Sequence, residues 1–120
     1  MKKKDSGSFE NQLISRIEDI KEAIIESDLI VISSNEFYAV GLKYISPEYD
    51  APFVTAKGTG CLAGIIIETA EDNNISIAED SPTARILVHN IDVGDFIPPE
   101  LYGIISEIYA HAYEITGKLD

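Results

Sequence analysis

Leu29-Ile30-Val31-Ile32-Ser33-Ser34-Asn35-Glu36-Phe37-Tyr38-Ala39-Val40-Gly41-Leu42-Lys43-Tyr44 is the stretch whose reading decides the fold. Its first four residues are aliphatic, three of them β-branched, and they are bounded by Asp28 and by Ser33-Ser34-Asn35. Such a run reads as a strand buried on both faces. Residues 37–44 read as a second strand. The connection between the two is short and polar, which suits an antiparallel hairpin.

Working outward, Ser46-Pro47 and Tyr49-Asp50-Ala51-Pro52 form a loop, because proline cannot donate to a ladder. Phe53-Val54-Thr55-Ala56 is a third strand, closed by Lys57-Gly58-Thr59-Gly60. Leu62, Ile65, Ile66, Thr69 and Ala70 then share one helical face, and Asp72-Asn73-Asn74 ends that helix. Ile75-Ser76-Ile77-Ala78 is a fourth strand, and the helix before it suits a parallel crossover. Ser81-Pro82 opens a short helix reaching about residue 90, with serine as the cap and proline in the first turn. After Gly94 and Pro98-Pro99, the spacing of Leu101, Ile104, Ile105, Ile108, Tyr109 and Ala112 predicts a last helix that stops near Gly117. Upstream, Phe9, Leu13, Ile17, Ile20 and Ile24 recur at helical spacing among charged residues. The expected architecture is α/β: one domain, a four-stranded mixed sheet flanked by about four helices. Residues 1–8 are expected to be a disordered basic terminus and 9–28 an amphipathic helix or linker. The folded domain is expected over 29–117.

The 120 residues are 45% hydrophobic, enough for one core, and carry a net charge of −12. From Gly58 to Gly117 the single Lys or Arg is Arg85. Nucleic acid binding needs clustered cations, so it is excluded as an expectation. Lys2, Lys3 and Lys4 read as a solvated tail, and no apolar run reaches the length that spans a bilayer. One cysteine, Cys61, rules out an internal disulfide and reads as a buried small hydrophobe in a reducing compartment.

No constellation points to an enzyme. Gly58-Thr59-Gly60 with Ala63 and the later Glu79 fits a relaxed dinucleotide pattern, but the chain lacks a second nucleotide-binding half. A tight strand-to-helix turn is the better reading, with Lys57 the one cation near it. His89 and His111 stand apart from each other without clustered carboxylates, so no metal is expected. Ser33 and Ser34 lack histidine and carboxylate partners in any triad pattern. Glu79-Asp80 suits a helix start, and Arg85 suits a structural ion pair. No catalytic residue, cofactor or small-molecule substrate emerges. The residues alone describe a small acidic binding or regulatory module.

Four blocks then add a resemblance. Phe37-Tyr38-Ala39-Val40-Gly41-Leu42-Lys43-Tyr44 is similar to the segment around the end of the cleavage motif in the cytoplasmic domain of the FlhB/YscU (SpaS, EscU) type III export-switch family. Ala51-Pro52-Phe53-Val54-Thr55-Ala56-Lys57-Gly58 resembles the family's Ala-Pro, strand, Ala-Lys-Gly pattern. Glu79-Asp80-Ser81-Pro82-Thr83-Ala84-Arg85-Ile86-Leu87 resembles its acidic, proline, Leu-Ala-Arg helix start. Val93-Gly94-Asp95-Phe96-Ile97-Pro98-Pro99-Glu100-Leu101-Tyr102 resembles its entry to the last helix. The blocks fall in family order.

The resemblance implies a domain at the cytoplasmic face of the bacterial inner membrane. It implies contacts with apparatus proteins and export substrates and a part in switching substrate class, in a flagellar or virulence system. Membrane attachment would come through an N-terminal anchor or an apparatus partner. An excised domain and a stand-alone paralogue both stay open.

One departure matters. The family carries Asn-Pro-Thr-His before the Tyr-Ala-Val strand; here the positions read Ser34-Asn35-Glu36-Phe37. In the family the asparagine amide attacks its own carbonyl and breaks the Asn-Pro bond, and proline blocks the competing route because it has no N–H. Ser34 stands where the asparagine belongs, Asn35 comes one place late, Glu36 has a free N–H, and Phe37 cannot do the histidine's work. The expectation is a non-cleaving docking module. The alternatives are cleavage near Asn35 by a shifted chemistry, or a paralogue without an export role. The expected partner-facing residues are Ser33, Glu36, Tyr49 and Arg85.

Overall fold

A computed structural model of the chain describes residues 15–45 and 51–116. The expectations for residues 1–14 and for Tyr49 lie outside the described residues. A helix, α1, covers 15–25. It is followed by β1 (Leu29–Ser33), β2 (Tyr38–Lys43), β3 (Phe53–Thr59), α2 (Cys61–Asp72), β4 (Ser76–Glu79) and α3 (Ser81–Asn90). A 3-10 turn (Pro99–Leu101) then leads into α4 (Tyr102–Thr116).

The sheet has the order β3-β2-β1-β4. β1 and β2 form the antiparallel hairpin, with Leu29 opposite Leu42 and Ser33 opposite Tyr38. β4 runs parallel to β1. The crossover through α2 therefore passes over two strands and joins opposite edges of the sheet. β1 is central and flanked on both sides, which is why it reads as an unbroken aliphatic run.

Each face of the sheet carries its own core. Leu29, Val31, Val40, Leu42 and Val54 point to one side, against Ala84 and Leu87 of α3 and Ile105, Ile108 and Ala112 of α4. Ile30, Ala39 and Ala56 point to the other, against Ile24 of α1 and Ala63, Ile66 and Ala70 of α2. The result is three layers, helix on sheet on helix. Truncating a side chain such as Leu87, which is fully buried, is expected to cost about 2–5 kcal/mol.

β3 runs three residues past the expected Ala56. Lys57, Gly58 and Thr59 all pair with β2. A bulge lies between, because Gly41 faces Ala56 while Leu42 faces Val54. Thr55 is thus the extra residue, and its Oγ1 lies 2.7 Å from Ser27 Oγ. The bulge switches which residues face which core, so Val54 and Ala56 point to opposite sides. Gly58 pairs with Ala39 within the strand, and it is glycine because a Cβ there would lie 2.8 Å from Leu62 Cβ. The turn itself is made by Gly60, whose φ of 60° disfavours other residues.

Two local readings are corrected. The cap of α3 is Asp80, whose Oδ1 accepts from Thr83 N at 3.1 Å; Ser81 is already helical. Cys61 is exposed at the first position of α2, where the Gly60 turn leaves it facing solvent.

Candidate functional site

The tip of the β1–β2 hairpin is residues 34–37, and the β4–α3 junction lies beside it because both β4 and α3 pack against β1. Asp80 N donates to Ile32 O at 3.0 Å, which sets the spacing between the two. Ser33 is buried; its Oγ lies 2.9 Å from Ser81 Oγ and 3.2 Å from Glu36 Oε1, and it accepts from Glu36 N at 3.3 Å. Glu79, the last residue of β4, holds Ser34 twice. Its Oε2 accepts from Ser34 N at 2.9 Å and its Oε1 from Ser34 Oγ at 2.6 Å. Arg85, one turn into α3, donates from Nε to Glu36 Oε2 at 2.9 Å.

These contacts set the charges of the tip. The hydrogen bond from Arg85 holds the Glu36 carboxyl below its ordinary range. The two bonds from Ser34 do the same for Glu79, against the opposing effect of desolvation. At neutral pH the tip is therefore an ionised, charge-assisted latch.

Beyond the latch, Phe37 is 66% exposed and sits at φ 58°, a region that bulky side chains rarely adopt. Its carbonyl accepts from Gly60 N at 2.9 Å, so the β3–α2 turn holds it in place. Asn35 is exposed. Tyr38 OH lies 3.0 Å from His89 Nε2.

The structure thus brings Ser33, Ser34, Glu36 and Arg85 together and adds Glu79, which the sequence suggests only as a helix-start acid or the acid of a dinucleotide pattern. Its role follows from a strand pairing that no local pattern reveals. The glycine turn offers no anion site, because Lys57 Nζ donates to Val88 O and Ile91 O at the end of α3, each at 2.8 Å. Tyr44 lies at the opposite end of β2 from the tip. There it joins Pro52, Tyr102, Ile105, Tyr109 and Tyr113 around a groove of about 370 Å³. The Tyr109 hydroxyl is buried there without a hydrogen-bond partner among the described residues.

This arrangement, a hairpin tip clasped by the β4–α3 junction of a mixed sheet, can be set against known proteins. Residues 10–112 match the profile of the FlhB HrpN YscU SpaS family. The chain belongs to that family. The flagellar biosynthetic protein FlhB of Borreliella burgdorferi is 36% identical over 102 residues, which is 85% of this chain and 27% of that protein. The FlhB/YscU-type chain described here spans about a quarter of the length of such curated relatives. The crystal structure of the cytoplasmic domain of FlhB from Shewanella putrefaciens superposes with a TM-score of 0.74 at 30% identity. It covers 81% of this chain and 78% of that one. An asparagine-to-aspartate variant of the EscU C-terminal domain gives 0.72 at 31% identity, covering 86% and 90%. Solved EscU domains also carry substitutions at the proline after that asparagine, at a histidine two places further, and at an arginine. That arginine is as far along its chain from the asparagine as Arg85 is from Ser34. The FlhB/YscU match therefore runs along the fold described above. Among the described residues no helix is long and apolar enough to cross a membrane.

Proposed function

We propose that this chain acts as a non-cleaving docking domain of a type III protein export apparatus. In this reading it works at the cytoplasmic face of the inner membrane and takes part in recognising export components or switching between substrate classes. The observation that carries the reading is the state of the hairpin tip. At the position of the family's asparagine stands Ser34, which has no amide to attack its own carbonyl. Its hydroxyl and N–H are both committed to Glu79. Position 35 has a free N–H where the family's proline has none.

A tip that is not cut can still be read by a partner. Phe37 offers an exposed aromatic anchor next to the Glu36–Arg85 pair, and aromatic residues and arginine are enriched where proteins bind. The groove around Tyr44, at the other end of β2, supplies a second aromatic surface of the same kind. The test compares the wild-type chain with the double variant Glu36→Ala, Phe37→Ala in capture of purified export-apparatus proteins. The variant is expected to lose capture while its melting temperature stays nearly unchanged. Undiminished capture would place the docking surface elsewhere.

A further inference from the structure

The chain treats the two edges of its sheet differently. Along β3, residues 94–97 cover the outer edge. Val54 N donates to Asp95 O at 3.0 Å, Gly94 N to Val54 O at 2.8 Å, and Ile97 N to Pro52 O at 2.9 Å. Along β4, no described strand pairs with the outer edge. Asp80 N turns inward to Ile32 O. Backbone direction alternates along a strand, so Ile77 and Glu79 turn their N–H and C=O groups outward, to the open edge.

Beside that edge runs α4, and between the two lies a groove of about 540 Å³. Ala78, Ile104, Ile108 and Ala112 supply apolar lining; Glu79, Asp80 and Glu107 supply charge beside His111, and no lysine or arginine lines it. Ser76 lines the same groove. It is 6% exposed, and its hydroxyl is buried without a hydrogen-bond partner among the described residues. An open strand edge beside an apolar floor makes an unpaired ladder.

We propose that β4 is a docking edge, and that an extended segment of a partner protein with alternating apolar and basic residues adds beside it as a fifth strand. Main-chain bonds to Ile77 and Glu79 would hold the segment, and the apolar lining would take alternate side chains. The basic character follows from Glu107, the groove carboxylate not already engaged by Ser34 or the α3 cap, within a chain of net charge −12. The same charge argues against a second copy of this chain, since joining two β4 edges would bring both sets of carboxylates together.

The probe is the capped hexapeptide Lys-Val-Lys-Ile-Lys-Val, titrated into the full chain and followed by fluorescence anisotropy and amide hydrogen exchange. The proposal expects saturable binding, with new protection at the amides of Ile77 and Glu79. It also expects binding to be lost when every second peptide nitrogen is methylated, and to be about ten times weaker for Glu107→Lys. No binding, or equal binding of the methylated peptide, overturns it. So does protection confined to the Tyr44 groove. Dimerisation through β4 would overturn the partner in favour of a second copy. Binding that appears only after removal of residues 1–8 would overturn it in favour of the chain's own lysines.

Discussion

Phe37 shows how a single residue separates a surface role from a core role. It is two-thirds exposed and held at a positive φ. Phe37→Ala is therefore expected to change stability by no more than about 0.5 kcal/mol, as for other surface sites. Phe37→Gly is expected to raise it by up to about 1 kcal/mol, because glycine adopts this conformation without the Cβ penalty. Urea denaturation checks both. A loss of roughly 3–5 kcal/mol for Phe37→Ala would place the ring in the core instead. Glu36 and Glu79 make a second prediction, on pH. Both carboxyls are depressed below 4.5 in the folded chain, Glu36 by Arg85 and Glu79 by Ser34. A depressed carboxyl lends stability above its unfolded value and loses it as pH falls through the folded one. The tip should stay latched from neutral pH down to the ordinary carboxylate range and release below it. The Ser34 amide resonance should shift with a midpoint below 4.5, and Glu79→Gln should flatten that titration. A midpoint above that value would contradict the latch.

Among the elements, the β3–α2 junction is where sequence and structure part most clearly. A glycine pair after an aliphatic strand signals a turn, and a turn is present, but it is Gly60 alone. Gly58 is a strand residue kept small by Leu62, a contact that arises only when α2 folds back on β3. Gly58→Ala is expected to cost about 1–3 kcal/mol through overpacking. Gly64→Ala, in the same helix with open space around it, is expected to stabilise by up to about 1 kcal/mol. Equal effects of the two in thermal melts would contradict this packing. What was legible in the sequence follows the same rule. β1 could be read because a doubly buried strand is aliphatic throughout, and α2 and α4 because their apolar residues recur on one face. The bulge at Thr55 could not be read, since nothing local marks the phase change. Cys61 is exposed because it stands just after the turn, a placement that its residue type does not signal. Of the tip, Glu36 and Arg85 were legible as candidate partner residues. Their pairing, and the grip of Glu79 on Ser34, depend on β4 crossing two strands to lie beside β1.

At the scale of the whole molecule, the chain has the fold of the FlhB/YscU family. The fold as a whole superposes on the solved FlhB and EscU domains. The proposed non-cleaving reading rests on the tip residues Ser34-Asn35-Glu36-Phe37. Asn35 is exposed, and because the Glu36 N–H donates to Ser33 Oγ at 3.3 Å, any deamidation through that nitrogen is slow; it adds a charge and leaves the backbone whole. On the proposed non-cleaving reading, β1 stays covalently joined to β2, and the tip, Phe37 and the Glu36–Arg85 pair stay in one fixed arrangement. The most direct measurement is the intact mass of purified protein held for days at neutral pH and then analysed under denaturing conditions. The account predicts a single species of full mass. Two fragments that divide at Ser34-Asn35 or at Asn35-Glu36 would contradict it and establish self-processing in its place.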